Sequence, residues 1–322
     1  MNRIALLALL VVVVVACSPT VGDAGPLAIT SPTVARGTSP TSSASSALPV
    51  VSGTRPSKAP ASPPPSTPAS SASPAPMAAG SADLVIYLLL GQRLVPVQRQ
   101  VPATLGVARA AMTALLAGPT PLEGSGPSAL STLIPTGTQL LDVAVSNGVA
   151  IVDLTGQFEA GGGSTSMFGR LAQVVYSLTQ FPTVTGVTFR LDGQPVTTFS
   201  GEGIVLSGPS VRADYRDFLP AIFIDSPAWG GTLPNPARVT GIANVFEAQF
   251  AAEVVASDGT VLAQRTVSAS CGTGCWGSFD VAIPYQVKQV ELGWVTVYDL
   301  SPKDGTRENV GSYPVTLMPG RG

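Results

Sequence analysis

Between residues 83 and 219 the spacing of hydrophobic positions changes several times. Leu84-Val85-Ile86-Tyr87-Leu88-Leu89 is an apolar run of strand length. Residues 93–101 set Leu94, Val95, Val97 and Val101 among polar neighbours, which predicts a second strand after a Gly91-Gln92 turn. Over residues 104–117, Leu105, Ala108, Met112, Leu115 and Leu116 recur at three- and four-residue spacing. That is the stripe of a helix, which Gly118 and Pro119 stop. Residues 139–154 predict a hairpin on Asn147-Gly148, a pair suited to a two-residue turn with positive φ. Pairing about that turn sets Leu141, Val143 and Val145 opposite Leu154, Val152 and Ala150 on one apolar face. A second helix is expected over residues 164–180, with Met167, Phe168, Leu171, Val174, Val175 and Leu178 as its stripe and Ser164 or Ser166 as its cap. Residues 184–191 form a strand that Asp192-Gly193 returns into residues 194–199. Strands mixed with two helices predict an α+β domain with a small, mostly antiparallel sheet.

From residue 220 to 318 the pattern becomes strands alone. Candidates are residues 221–224, 239–245, 248–256, 261–269, 277–283, 289–298 and 310–317. Asp258-Gly259 and Asp304-Gly305 mark hairpin turns. Seven short strands in about 100 residues predict a β-sandwich. Trp276, Phe279 and Trp294 are its expected core or half-buried aromatics.

The N-terminus reads differently. An apolar run of thirteen residues, 4–16, follows Arg3. A membrane-spanning helix needs about twenty residues, so the run predicts a signal-peptide core. Val14-Val15-Ala16-Cys17 resembles the lipobox of bacterial lipoprotein signals, with Val14 where that family usually has Leu. The resemblance implies cleavage after residue 16 and a lipid on Cys17. An ordinary secretory signal cut near Ala16 is the alternative. Either reading places the rest of the chain outside the cytoplasm, and the first anchors it to the outer face of the bacterial cell membrane. Residues 17–82 are then the anchored cysteine and a tether rich in Ser, Pro and Ala. The tether has no aromatic residue, and its only charges are Asp23, Arg36, Arg55 and Lys58. It cannot bury enough apolar area to offset its ordering entropy. A flexible chain of this length averages roughly 45 Å end to end and extends to about 200 Å. The expected organisation is a signal peptide at 1–16, the anchor and tether at 17–82, an α+β domain at 83–219 and a sandwich at 220–318.

Composition narrows the chemistry. The net charge is −2, with 17 basic and 19 acidic residues, and the arginines are scattered rather than striped. That argues against nucleic-acid binding. The chain has no histidine, which removes Ser-His-Asp and Cys-His catalysis and imidazole metal sites. No cofactor is expected, and no catalytic constellation stands out. Cys271 and Cys275 are spaced CGTGC, unlike the CxxC redox motif, and a structural disulfide is the expected state in an oxidising compartment. The expected hairpin register sets Asp142 opposite Asp153. Directly opposed like charges are unfavourable, so either a cation or a raised carboxyl pKa compensates them, or solvent and a shifted register do. Gly161-Gly162-Gly163 ahead of a helix is either a phosphate cradle or a plain connector. Trp229, in a Pro-Ala-Trp-Gly-Gly loop, either contacts a partner or a sugar or covers one end of the sandwich.

The segments LVPVQRQVP, LLAGPTPLE, IPTGTQL, VSNGVAIVDLTGQF and LAQVVYSLTQFPTVTGVTFRLDGQPV, in this order, resemble the GerMN domain of bacterial sporulation and spore-germination proteins. The resemblance covers residues 84 to 200 and implies a compact domain with a ring-building-like core; it implies no catalytic residues. The run IFIDSPAWGGTLPNPARVTGIANVFEAQF, with SDGTVLAQ, WGSFDV and YPVTL, resembles the immunoglobulin-like domain that often follows GerMN. The function these readings imply is a non-enzymatic envelope lipoprotein. It would act by self-association or by binding an envelope protein, in sporulation, germination or envelope signalling. The alternative is binding of peptidoglycan or another cell-wall glycan.

Overall fold

The computed structural model describes residues 80–199 and 203–320. Cys17 and the tether up to residue 79 lie outside the described residues. The first region opens with a long hairpin of β1 (Ser81–Leu90) and β2 (Arg93–Pro102), in register from Leu90↔Arg93 to Ser81↔Pro102. α1 (Val107–Leu116) follows, and then β3 (Leu130–Ser131), which pairs with β1 only at Leu89 and Leu90. A second sheet has the order β4-β5-β6-β7, from β4 (Leu140–Ser146), β5 (Val149–Leu154), β6 (Gly186–Leu191) and β7 (Gln194–Val196). α2 (Ser164–Leu178) connects β5 to β6, so those two strands run parallel while the other pairs are antiparallel. β8 (Thr198–Phe199) and β9 (Ile204–Val205) form a small separate pair.

The expected single small sheet is therefore divided, and α2 explains how the division is tolerated. Below β3, β1 has an edge with no strand beside it. Side chains of α2 and of Gln180 just beyond it take the place of a strand. Val85 N–H donates to Gln180 Oε1 at 2.8 Å, and Gln180 Nε2 donates back to the Val85 carbonyl. Tyr87 N–H donates to Ser177 Oγ at 3.0 Å, and Gln173 Nε2 donates to the Tyr87 carbonyl at 3.0 Å. Gln173 and Ser177 are fully buried, which is tolerable because each is hydrogen-bonded. Met167, Leu171, Val174, Val175 and Leu178 fill the core as their spacing predicts. Phe168 does not; it lies at the edge of the stripe and is 38% exposed.

Three further expectations need correction. The first helix begins at Val107, and Leu105 lies fully exposed before it. The cap of α2 is Gly163, with no side-chain cap bond, and Ser166 Oγ instead accepts from Arg170 Nη2 at 3.2 Å. The hairpin turns on Asn147-Gly148, both at positive φ, but Leu154 pairs with Leu140 across a bulge that throws Leu141 outward. β4 is the edge strand of its sheet, so Leu141 and Val145 stay exposed rather than packed.

The second region is a sandwich of two sheets. One has the order β10-β12-β15, from β10 (Ile222–Ser226), β12 (Ala237–Ala243) and β15 (Gly277–Ile283). The other has the order β11-β17-β16-β13-β14, from β11 (Thr232–Leu233), β13 (Gln249–Ala256), β14 (Val261–Ser268), β16 (Glu291–Leu300) and β17 (Arg307–Leu317). Seven of these strands follow the alternation in the sequence. β11 is too short to show a pattern and pairs parallel to the end of β17. Between the sheets Val239, Val254, Val295, Val297 and Leu317 are fully buried, and Phe250 meets Phe279 edge-on at 4.8 Å between centroids.

Candidate functional site

The polar constellation that stands out lies where the two regions meet, and Arg212 is at its centre. Arg212 begins a 3-10 turn, Arg212–Phe218, that leads out of the first region. Its Nη1 contacts Asp225 Oδ1 of β10 at 3.0 Å, and its Nη2 donates to the Tyr87 hydroxyl of β1 at 3.0 Å. Nε donates to Thr179 Oγ1 at 2.8 Å, and Nη2 reaches the Tyr176 carbonyl at 3.2 Å. Tyr87 completes a triangle by donating its hydroxyl to Asp225 Oδ1 at 2.7 Å. The guanidinium also lies 4.7 Å from the Tyr176 ring centroid and 5.3 Å from that of Tyr87. Phe223 of β10 inserts against both rings, at 6.0 Å from Tyr176 and 6.4 Å from Tyr87. An aromatic contact and a charged fork thus join the same three elements.

The electrostatics follow from this packing. Burial pushes the Tyr87 hydroxyl well above its usual pKa; Arg212 opposes that shift and Asp225 adds to it. Burial likewise pushes Tyr176 up to about 12 against the opposing charges of Arg212 and Arg216. Burial alone would lower the Arg212 pKa, but Tyr87 and Asp225 outweigh it and raise the value. The triangle therefore holds Arg212 charged and Tyr87 neutral.

Backbone contacts reinforce the junction. Trp229 N–H donates to the Pro96 carbonyl at 2.8 Å, and Gln98 N–H donates to the Trp229 carbonyl at 2.9 Å, so the loop adds a short parallel bridge to β2. On its other side Gly230 N–H reaches the Pro314 carbonyl and Thr316 N–H reaches the Gly231 carbonyl, both at 2.8 Å. The loop is thus sewn to β2 and to β17 at once. A Cβ on Gly231 would lie 2.8 Å from the Ala228 carbonyl oxygen, so this approach depends on glycine. The Trp229 side chain is half-buried and packs against the core.

Cys271 and Cys275 are joined, with their Cα atoms 5.8 Å apart. The loop they close is held to residues 244–248. Thr273 N–H donates to the Val245 carbonyl at 2.9 Å and Gly274 N–H to Asn244 Oδ1 at 2.9 Å. Asn244 N–H in turn donates to the Ala221 carbonyl at 2.8 Å, in the segment linking the two regions. Half-buried Trp276 follows the disulfide and faces Arg93, Arg216 and Leu219 across a shallow hollow. Arg93 Nη1 caps the carbonyls of Asp217 and Leu219.

The remaining candidate groups are in structural settings. Asp142 does pair with Asp153 in register, but Arg109 of α1 forms an ion pair with Asp142, and Arg190 is the β6 neighbour of Asp153. Asp153 Oδ1 also accepts from Gly193 N–H at 3.1 Å. The like charges are thus offset by two arginines from other elements. Beside Gly161-Gly162-Gly163 sits Arg170, only 3% exposed. It donates to the carbonyls of Leu133 at 3.0 Å and Phe158 at 2.7 Å, and to that of Gly161. Arg170 thereby ties the glycine loop to the body. Among the described residues no group of three or more Cys, Asp or Glu is placed to hold a metal, and no helix is long and apolar enough to cross a membrane.

Residues 85–197 match the Germane family, described as sporulation and spore germination. Residues 221–306 match the Gmad2 family, the immunoglobulin-like domain of bacterial spore germination. Among solved structures, the tandem GerMN domains of the sporulation protein GerM from Bacillus subtilis align with 14% identity and a TM-score of 0.39, over 75% of this chain and 62% of that one. The first GerMN domain of the same protein aligns with 20% identity and a TM-score of 0.33, over 41% and 99%. A putative lipoprotein from Clostridium perfringens aligns with 22% identity and a TM-score of 0.30, over 44% and 93%. No curated protein matches the chain. The chain thus carries a GerMN-type sporulation and spore-germination domain followed by the immunoglobulin-like domain of bacterial spore germination.

Proposed function

We propose that this chain is a non-enzymatic envelope lipoprotein that presents its two domains as one body to a protein partner or to further copies of itself. Cys17 carries the lipid, and the residues between it and β1 set the distance of the body from the membrane. The observation that carries the reading is the junction. Two independent binding modules on a string need no polar latch between them, whereas here Arg212, Tyr87 and Asp225 and the Trp229 bridge fix one module against the other. A fixed pair presents a composite surface larger than either domain alone, which suits recognition by standard-sized interfaces. The matched families, both of sporulation or spore germination, support a role in that area.

The test is fractionation with affinity capture from envelope extract. The full chain should partition with membranes, and a Cys17→Ser variant should be released or remain uncleaved. The body should either self-associate by light scattering or capture a specific envelope protein. A Cys17→Ser chain that is processed and membrane-bound like the wild type overturns the anchor. A strict monomer that captures nothing overturns the interaction role.

A further inference from the structure

We propose that the cleft beside the Arg212 latch binds a small organic carboxylate with an apolar or aromatic body, and that Arg216 receives the carboxylate. The cleft has a volume of about 420 Å³ and lies between the 3-10 turn Arg212–Phe218 and the outer face of β10-β12-β15. Its size falls within the range of small-molecule sites, which favour domain interfaces.

Its walls specify the chemistry. Half-buried Ile242 supplies the open apolar patch, and the edges of Phe223 and Tyr176, each only 2% exposed, line the wall behind it. Gly241 opens the floor to the Phe279 ring; a Cβ there would lie 2.8 Å from that ring and 2.0 Å from the Phe223 carbonyl oxygen. The apolar surface open to a ligand is thus centred on Ile242.

Charge then selects the polar end. The lining aspartates are already matched: Asp225 is paired with Arg212 at 3.0 Å, and Asp280 with Arg238 at its margin. Of the two arginines and two aspartates that line the cleft, Arg216 is the one without an ion-pair partner. Among the described residues its exposed side chain has neither an ion pair nor a hydrogen bond. Arg216 lines the cleft. A guanidinium fork takes a carboxylate in bidentate fashion, which a neutral amide cannot reproduce. The Thr240 hydroxyl offers a further hydrogen bond between the two ends. The proposal concerns the folded body alone and stands whether or not Cys17 carries a lipid.

The test is titration of the full chain, followed by NMR or calorimetry, with 3-phenylpropanoate and its neutral amide. The carboxylate should bind at least about tenfold more tightly than the amide, the difference expected for one charge-assisted fork. Arg216→Ala should reduce that ratio to about twofold or less while leaving the amide affinity unchanged, and a bulky side chain in Thr240→Trp should block both ligands. N-acetylphenylalanine separates the two sources of such a group. If it binds about tenfold more tightly than 3-phenylpropanoate, the ligand is a peptide C-terminus; if not, it is a free acid. Equal affinity for acid and amide, discrimination that survives in Arg216→Ala, or no saturable binding up to about 10 mM overturns the proposal.

Discussion

Replacing Arg212 with alanine tests whether the junction makes the two domains one cooperative body. The side chain donates four hydrogen bonds, to Thr179, Asp225, Tyr87 and the Tyr176 carbonyl. The ion pair with Asp225 is partly open to water, with side chains 29% and 44% exposed, so it contributes only about 0.5–1 kcal/mol. The two ring contacts add about 0.5–1 kcal/mol each. The bonds to Thr179 and the Tyr176 carbonyl add about 0.5–1.5 kcal/mol each. All of these share one guanidinium and do not sum independently, so the low end applies, about 2.5 kcal/mol. For a body of about 240 residues that corresponds to a fall in Tm of roughly 5–10 °C.

The distribution of chromophores lets one experiment follow each domain separately. The three tryptophans, Trp229, Trp276 and Trp294, all lie in the second region, whereas α1 and α2 lie in the first. Tryptophan fluorescence and helical circular dichroism should therefore melt together in the wild type and separate in Arg212→Ala. Arg212→Lys should recover little, because an ammonium on a single stem cannot reach four acceptors spread over three elements. A loss below about 1 kcal/mol, transitions that stay coincident in Arg212→Ala, or full recovery by lysine would refute the latch.

Other outcomes follow from the same structure. All six tyrosines have raised pKa values, each chiefly through burial. The unfolded chain therefore ionises first: stability is intact below pH 10 and is lost as pH rises toward the folded values, about 12 for Tyr176 and Tyr215. Phenolate absorbance at about 295 nm should accordingly appear together with unfolding, and an ordinary titration near pH 10 with the fold intact would contradict the burial. Glu123 works in the opposite direction. Burial opposes its charge, but Arg99 in a two-point contact at 2.7 Å and the Thr120 N–H outweigh this and lower its pKa. Its contribution is present above the ordinary value of 4.5 and is lost as pH falls through the lowered one. Glu123→Gln should flatten that acid limb in denaturation curves measured at several pH values. Cys271→Ser with Cys275→Ser should cost about 2 kcal/mol, read by urea denaturation, and reductant should then no longer affect stability. Gly241→Val drives a side chain into the Phe223 carbonyl and the Phe279 ring and should cost about 1–3 kcal/mol in the same assay; an unchanged midpoint would show that the cleft floor is loose.

The legibility of these features in the sequence tracks the range of the interactions behind them. Local signals were read well. Asn147-Gly148 turns where it should, and seven sandwich strands follow their alternation. The misreadings arose where a residue's partner comes from another element. Phe168 and Leu105 fit a helical stripe by spacing, yet the apolar face of α2 is complete without Phe168, and the chain before α1 leaves Leu105 in solvent. Gln173, Ser177 and Gln180 were the clearest missed signal. They recur at helical spacing along α2 and just past its end, and three polar residues in one row beside an apolar stripe indicate a backbone that must be satisfied there. Arg170 was passed over as one scattered charge among several, because nothing near it in sequence marks the three carbonyls it ties.

The junction was the least legible part, for a definite reason. Tyr87, Tyr176, Arg212 and Asp225 are drawn from a strand, a helix, a turn and a strand of the next domain, and no local pattern links positions separated by as many as 138 residues. Trp229 was noticed for its ring, but its backbone makes the bridge to Pro96 and Gln98, and backbone bonds are indifferent to side-chain type. The same argument indicates how to look for such latches in related chains. The useful signal is a joint requirement: a tyrosine on the first strand, an arginine at the exit of the first domain and an aspartate at the end of the first strand of the next. Where Arg212 or Asp225 is lost, the charge of the other is left partly buried and unmatched, so natural variants should lose those two together or neither. A chain that keeps Arg212 and Tyr87 while replacing Asp225 with an apolar residue, at unchanged stability and with coincident melting of both domains, would show that the aromatic contacts of Phe223 alone hold the body together.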